Sequence, residues 1–130
     1  MATATIDCPF CAVARARIAF ESPLVVGLWD GFPITDGHGL VVPRRHVASW
    51  FDATADEQAA LMAGAATLRA LVIARGPVDG FNLGINDGAA AGQTVPHLHV
   101  HVIPRRVGDV DDPRGGVRWV VPARARYWSG

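Results

Sequence analysis

Between Pro96 and Pro104 the chain reads His97-Leu98-His99-Val100-His101-Val102-Ile103, imidazole alternating with aliphatic. A period of two with β-branched residues predicts a strand, and prolines, which donate no ladder hydrogen bond, are its natural limits. Successive strand side chains point to opposite faces, with i, i+2 neighbours about 6.6 Å apart. Leu98, Val100 and Val102 then face a core, and three of the chain's five histidines share the other side. Three readings fit such a row. Plain packing requires hydrogen-bond partners for all three rings. Metal binding suits an i, i+2 pair, but His97 and His101 lie about 13 Å apart on an extended strand, awkward for one ion. In the third reading an imidazole is a nucleophile. With a free pKa near 6.5 it is largely unprotonated at neutral pH and attacks phosphorus without an activating base, a natural carrier for phosphoryl or nucleotidyl groups.

Two further stretches carry reactive or ligand-holding types. Cys8-Pro9-Phe10-Cys11 is a Cys-x-x-Cys pair near the start. A thioredoxin-like redox pair needs a preceding strand within a βαβ unit, and only seven residues precede this one. Two unrelated buried thiols, or half of a zinc site, remain. Before the histidine row, Gly88 and Gly92 let backbone approach a ligand, and Gln93 and Thr94 supply donors for phosphate oxygens. The Gly-x-x-x-x-Gly-Lys pattern is missing, so magnesium-dependent nucleoside triphosphate chemistry is not suggested.

The His-φ-His-φ-His-φ-φ run resembles the signature of the histidine triad superfamily of nucleotide hydrolases and transferases. Asn86-Asp87-Gly88, Ala91-Gly92-Gln93-Thr94-Val95, and Asp36 to Val47 with its Pro43-Arg44-Arg45-His46 are similar to that family in the same order, over roughly residues 6 to 106. The resemblance implies catalysis by His99 as nucleophile on an α-phosphorus, through a covalent nucleotidyl-His99 intermediate. His101 would contact the phosphate or protonate the leaving group, His97 would support the row, and Gln93 and Thr94 would stabilise developing charge. It implies a purine nucleotide substrate, with Asp30 on the ribose hydroxyls, Asn86 on the nucleotide, and Phe10, Val13 and Leu28 around the base. His38, in the loop-histidine position, would support the site. It also implies a structural zinc held by Cys8, Cys11, His46 and His97, with no catalytic metal, and a homodimer that joins two sheets edge to edge or forms through the helix. Within the family, dinucleoside polyphosphates are slightly favoured over nucleoside phosphoramidates and acyl-adenylates. Two rivals stand: a metallohydrolase using the triad as ligands, which a chelator would inactivate, and a nucleotide-binding adaptor, which turnover would exclude.

The elements that must position these residues can be read from patterning. Met1 to Asp7 reads as a loose lead-in. Residues 12–20 read as a short helix, Leu24 to Trp29 as a strand, and Gly39 to Val42 as its return. Thr54-Ala55-Asp56-Glu57 is a capping box, followed by Leu61, Ala65, Leu68 and Val72 at helical spacing to about Arg75, where Gly76-Pro77 stops a long helix. Phe81 to Ile85 and Val117 to Val121 read as strands. Arg105 and Arg106 read as solvated, with a polyphosphate contact as the alternative. Trp119, Tyr127 and Trp128 read as anchors of a C-terminal extension over 107–130, with covering a sheet edge or reaching the active site of a second copy as the alternatives.

The expected fold is therefore α+β: an antiparallel sheet of about five strands with one long and one short helix, in one domain over residues 1–130. At 13.8 kDa the chain buries a real core. Twelve basic and twelve acidic residues give zero formal net charge, so no electrostatic footprint for nucleic acid or an anionic membrane results. No apolar run approaches bilayer length and no signal segment is visible, so cytoplasmic location and no membrane partner are the expectations.

Overall fold

The computed structural model describes residues 7–130; the lead-in over residues 1–6 lies outside them. Five strands form one antiparallel sheet: β1 (Ile18–Glu21), β2 (Val25–Trp29), β3 (Gly39–Pro43), β4 (Gly80–Gly84) and β5 (Val100–Arg105), in the order β1-β2-β3-β5-β4. One long helix, α1 (Ala55–Ile73), crosses between β3 and β4. Its start is the expected capping box: Thr54 Oγ1 accepts from Glu57 N at 3.0 Å, and Glu57 Oε1 accepts from Thr54 N at 2.9 Å.

The alternating pattern of β5 decides which face does what. Leu98, Val100 and Val102 join Val41, Leu61, Ala65 and Leu68 in the core beneath α1. On the other face Leu40 and Val42 of β3 pack with Leu28, and Phe10 and Val13 of the N-terminal segment cover them. All five residues of β3 are buried because both its faces are covered. His101, paired in register with Leu40 and Gly84, lies on this second face.

Three expected elements are corrected. Residues 12–20 form no α-helix: a 3-10 turn, Arg15–Arg17, leads into β1. The Phe20 ring explains why. It lies over Gly27, where a Cβ would come within 2.0 Å of it, and within 3.1 Å of where Gly64 of α1 would carry one. The ring fills a slot between β2 and α1 that only a strand geometry lets it reach, and tertiary packing overrides the helix propensity of the Ala-Arg run. Val117 to Val121 is not a strand but part of the 3-10 turn Gly116–Val120, entered through Gly115 and Gly116 at φ of 88° and 45°. Finally, Pro104 does not end β5. Pairing with β3 stops at Val102 while pairing with β4 continues to Arg105, so one side of β5 is open where the proline lacks its donor. The strand count of five is as expected, with β1 in place of 117–121.

Candidate active site

His97 and His99 precede the paired part of β5, and backbone carbonyls hold their rings. The nitrogen facing a carbonyl must carry the proton, because a carbonyl oxygen only accepts. His97 Nε2 donates to Pro43 O at 2.7 Å, leaving Nδ1 with a lone pair. His99 Nδ1 donates to His97 O at 2.8 Å, leaving Nε2 with one. Two rings two residues apart thus present opposite nitrogens.

The His97 lone pair faces a cluster. Its Nδ1 lies 3.4 Å from Cys8 Sγ, 3.5 Å from Cys11 Sγ and 3.2 Å from His46 Nδ1, and Cys11 Sγ lies 3.2 Å from His46 Nδ1. The four donor atoms all fall within 4.8 Å of one another. A tetrahedron with metal–nitrogen bonds of about 2.0 Å and metal–sulfur bonds of about 2.3 Å has edges of about 3.3–3.8 Å, close to these separations. The donor set and the outer hydrogen bond from His97 to Pro43 fit a closed structural site. Burial raises the pKa of the Cys8 thiol and lowers that of His97, so a neighbouring cation is what would draw out the thiolate. The segment that brings His46 here is tied to α1: Arg45 donates to both carboxylate oxygens of Glu57, at 2.8 and 3.1 Å.

The other two triad rings border a cavity of about 440 Å³. Phe10 forms one wall, its ring 5.0 Å from that of His99 and 5.9 Å from that of His97. Asp30, Asn86 and Thr94 also line it. Asp30 is fixed by its own turn, Oδ1 accepting from Phe32 N at 2.7 Å. His38 sits buried behind His101. Ile34 N donates to His38 Nδ1 at 3.2 Å, so the proton of His38 is on Nε2, which donates to His101 Nδ1 at 2.9 Å. Asp30 Oδ2 is 3.4 Å from the same Nε2. His101 is thereby left with its proton on Nε2. Burial, together with the neighbouring His99 and His38, pushes its pKa down to about 4; burial also lowers that of His38.

Some expected site residues stand elsewhere. The Gln93 amide faces backbone, not the cavity: Oε1 accepts from Gly88 N at 2.8 Å and Nε2 donates to Ala48 O and Val95 O at 2.9 and 3.1 Å. It staples the loop, and Thr94 beside it reaches the cavity. Val13 and Leu28 do not line the cavity either; Leu28 is fully buried behind Leu40, which does. Arg105 and Arg106 are engaged within the fold, Arg105 with Asp109 and Asn82, Arg106 with Asp36 O and Pro77 O. Sequence reasoning misses Arg17, whose side chain lines the cavity while its Nε donates to Trp29 O at 3.2 Å. Assigning residues 12–20 to a helix conceals it.

Comparison with known proteins agrees with the fold. The HIT domain family model matches residues 12–108. The chain is 31% identical over 107 residues to the adenylylsulfatase HINT3 of Arabidopsis thaliana, covering 79% of this chain and 54% of that one. It is 40% identical over 97 residues to the asymmetrical bis(5'-nucleosyl)-tetraphosphatase of Schizosaccharomyces pombe, covering 75% and 53%. The chain therefore spans about half the length of these two relatives. Among solved structures, a Zn-bound histidine triad family protein from Mycobacterium smegmatis superposes with a TM-score of 0.66 at 40% identity, covering 80% of this chain and 78% of that one.

Proposed function

The chain belongs to the HIT domain family, and on that premise we propose that it is a nucleotide hydrolase or nucleotidyl transferase acting at an α-phosphate through His99. The observation that carries this reading is the hydrogen bond from His99 Nδ1 to His97 O, which leaves Nε2 unprotonated beside a cavity of nucleotide-binding size. In the proposed reaction Nε2 bonds to phosphorus, the leaving group departs on the opposite side, and water then releases a nucleoside monophosphate. His101 presents its Nε2 proton to a phosphate oxygen, with His38 fixing that tautomer. Asp30 accepts from the ribose hydroxyls, Asn86 and Thr94 contact the phosphate end, and the Phe10 ring lies against the base. Arg17 supplies a cation at the cavity wall.

Cys8, Cys11, His46 and His97 hold a structural zinc in this reading, which joins the N-terminal segment to the triad strand. The named activities of the relatives and the Zn-bound neighbour support it. Two free thiols aimed at imidazoles fit a reducing, cytoplasmic setting. No helix is long and apolar enough to cross a membrane. The outer edge of β4 is open among the described residues, and a second copy is the partner proposed for it.

Asp30, His38 and His101 also group closely enough to suggest a catalytic ion. Their spacing is accounted for by the hydrogen bond between the two rings, since Ile34 N occupies the His38 lone pair. The test is quenched-flow reaction with an α-labelled purine nucleotide, followed by peptide mass mapping. A nucleotidyl adduct on the peptide containing His99, lost in His99→Ala, is expected. Near-normal turnover by that variant, or loss of all turnover to a chelator with the fold intact, overturns the reading.

A further inference from the structure

A second and larger cavity, about 900 Å³, lies on the same sheet face beyond His101. Ile34, His38, Asn86 and His101 line both cavities, so the two meet at His101, while His99 borders only the smaller one. The family match ends at residue 108, and the far wall of this second space comes from the segment C-terminal to it: Val110, Asp112, Pro113, Val117, Trp119 and Arg126. That wall is built. Trp119 Nε1 donates to Arg114 O at 2.8 Å, Arg118 donates to Ala125 O and Arg124 O at 2.8 Å each, and the Trp128 ring packs over Gly115.

The chemistry of the space is apolar. Ile103 from the sheet lines it together with Val110, Val117 and Trp119. Of the two arginines in its lining, Arg105 is held by Asp109 at 2.7 and 2.8 Å, and Arg126 stacks 5.6 Å over Trp119 and lies 4.0 Å from Asp112, whose carboxylate Arg114 already holds at 3.0 Å. Asp109, Asp111 and Asp112 line the same space. A polyphosphate chain leaving past His101 would meet these three carboxylates with Arg126 as the one loosely held cation beside them, whereas an uncharged group would displace water from apolar walls.

We propose that this cavity is the leaving-group subsite of the reaction set out above, and that residues 109–126 select an uncharged aryl group linked to the α-phosphate through a single oxygen. The inference rests on the nucleotidyl-transfer reading and narrows it. As His99 Nε2 bonds to phosphorus, the bond from phosphorus to the leaving oxygen breaks and its electron pair stays on that oxygen. The group departs as a phenolate, needing no proton from His101. Water then bonds to phosphorus, the phosphorus–nitrogen bond breaks, the lone pair returns to Nε2, and the proton of the water passes to solvent.

The experiment compares two adenylyl substrates. In adenosine 5′-phosphorofluoridate the leaving group is fluoride, too small to use the second cavity; in the 1-naphthyl ester of adenosine 5′-phosphate it is an apolar bicycle. Val117→Asp and Trp119→Ala are each expected to lower the naphthyl-to-fluoridate ratio of kcat/KM about tenfold, the scale of discrimination expected of a hydrophobic pocket. Val120→Asp, in the same turn but outside the lining and 77% exposed, is expected to keep the wild-type ratio. Val117 is itself 68% exposed, so its variant folds even if Trp119→Ala does not. A ratio unmoved by Val117→Asp, or wild-type preference for diadenosine triphosphate over the naphthyl ester, overturns the subsite and leaves nucleotidyl transfer standing. Failure of the wild type to turn over the fluoridate overturns both.

Discussion

His97 and His99 are two residues apart, both buried, and both give a proton to a backbone carbonyl, yet they are prepared for different work. His97 gives its Nε2 proton to Pro43 O and turns Nδ1 toward two thiols and a second imidazole. His99 gives its Nδ1 proton to His97 O and turns Nε2 toward a cavity. The difference does not lie in residue type, burial or strand position. It lies in which nitrogen the nearest carbonyl takes, so in the proposed reaction the backbone assigns one ring to holding and the other to attack.

That contrast can be broken from either side. The largest effect is expected from His99→Ala, which removes the proposed nucleophile: turnover of an adenylyl substrate should fall by about 10⁴-fold or more, with nucleotide affinity by titration calorimetry within a few fold. His97 should behave oppositely. Protein purified without metal affinity should carry one zinc per chain by elemental analysis. Its chelation, or Cys8→Ser, should lower Tm by roughly 10 °C, with kcat changing far less than in His99→Ala. Substantially less than one zinc per chain would remove the holding role.

Finer cuts test the supports. His38→Phe removes the donor that fixes His101, and kcat should drop about 10²-fold with little change in KM. On the cluster side, Glu57→Ala removes the pair with Arg45 and half of the capping box, and should cost about 2 kcal/mol in urea unfolding with normal kcat at saturating substrate.

The smallest effect is in pH. His101 is held down to about 4 and His38 also below its ordinary value, so the unfolded chain binds more protons than the folded one below about 6.5. Stability contributed by these neutral rings is intact above that pH. It should fall as pH drops toward 4, where the His101 contribution levels off. Thermal melts of His38→Phe, which lacks one of the two rings, should show a shallower slope across that window.

How much of this is legible in the sequence depends on the range of the interactions. The alternation of the triad, the capping box and the Cys-x-x-Cys pair are local, and each leads to a correct neighbourhood: the two faces of β5, the start of α1, the four-residue cluster. What stays hidden depends on a distant partner. Nothing near residue 20 announces that its ring fits between Gly27 and Gly64, so β1 reads as helix and Arg17 is overlooked. Gln93 looks like a phosphate donor because its spacing to the triad is visible, whereas its acceptor at Ala48 is not. Val117 to Val121 has strand composition without a strand to pair with. The tautomer of His97 is beyond reach for the same reason, since Pro43 O is 54 residues from the ring it holds.

Phe10 stands between the two thiols in the chain, and Cys8 O accepts from both Cys11 N and Ala12 N, closing the four residues into one tight turn. Anchor and pocket wall are consequently a single rigid part. On the proposed reading, a laboratory evolution of base preference cannot reshape that wall by insertion or deletion without dismantling the anchor, and the identities of Pro9 and Phe10 are what is open to change there. Freedom to lengthen the chain lies across the opening, in the stretch from Gly31 to Ile34, where Phe32 is almost wholly in solvent.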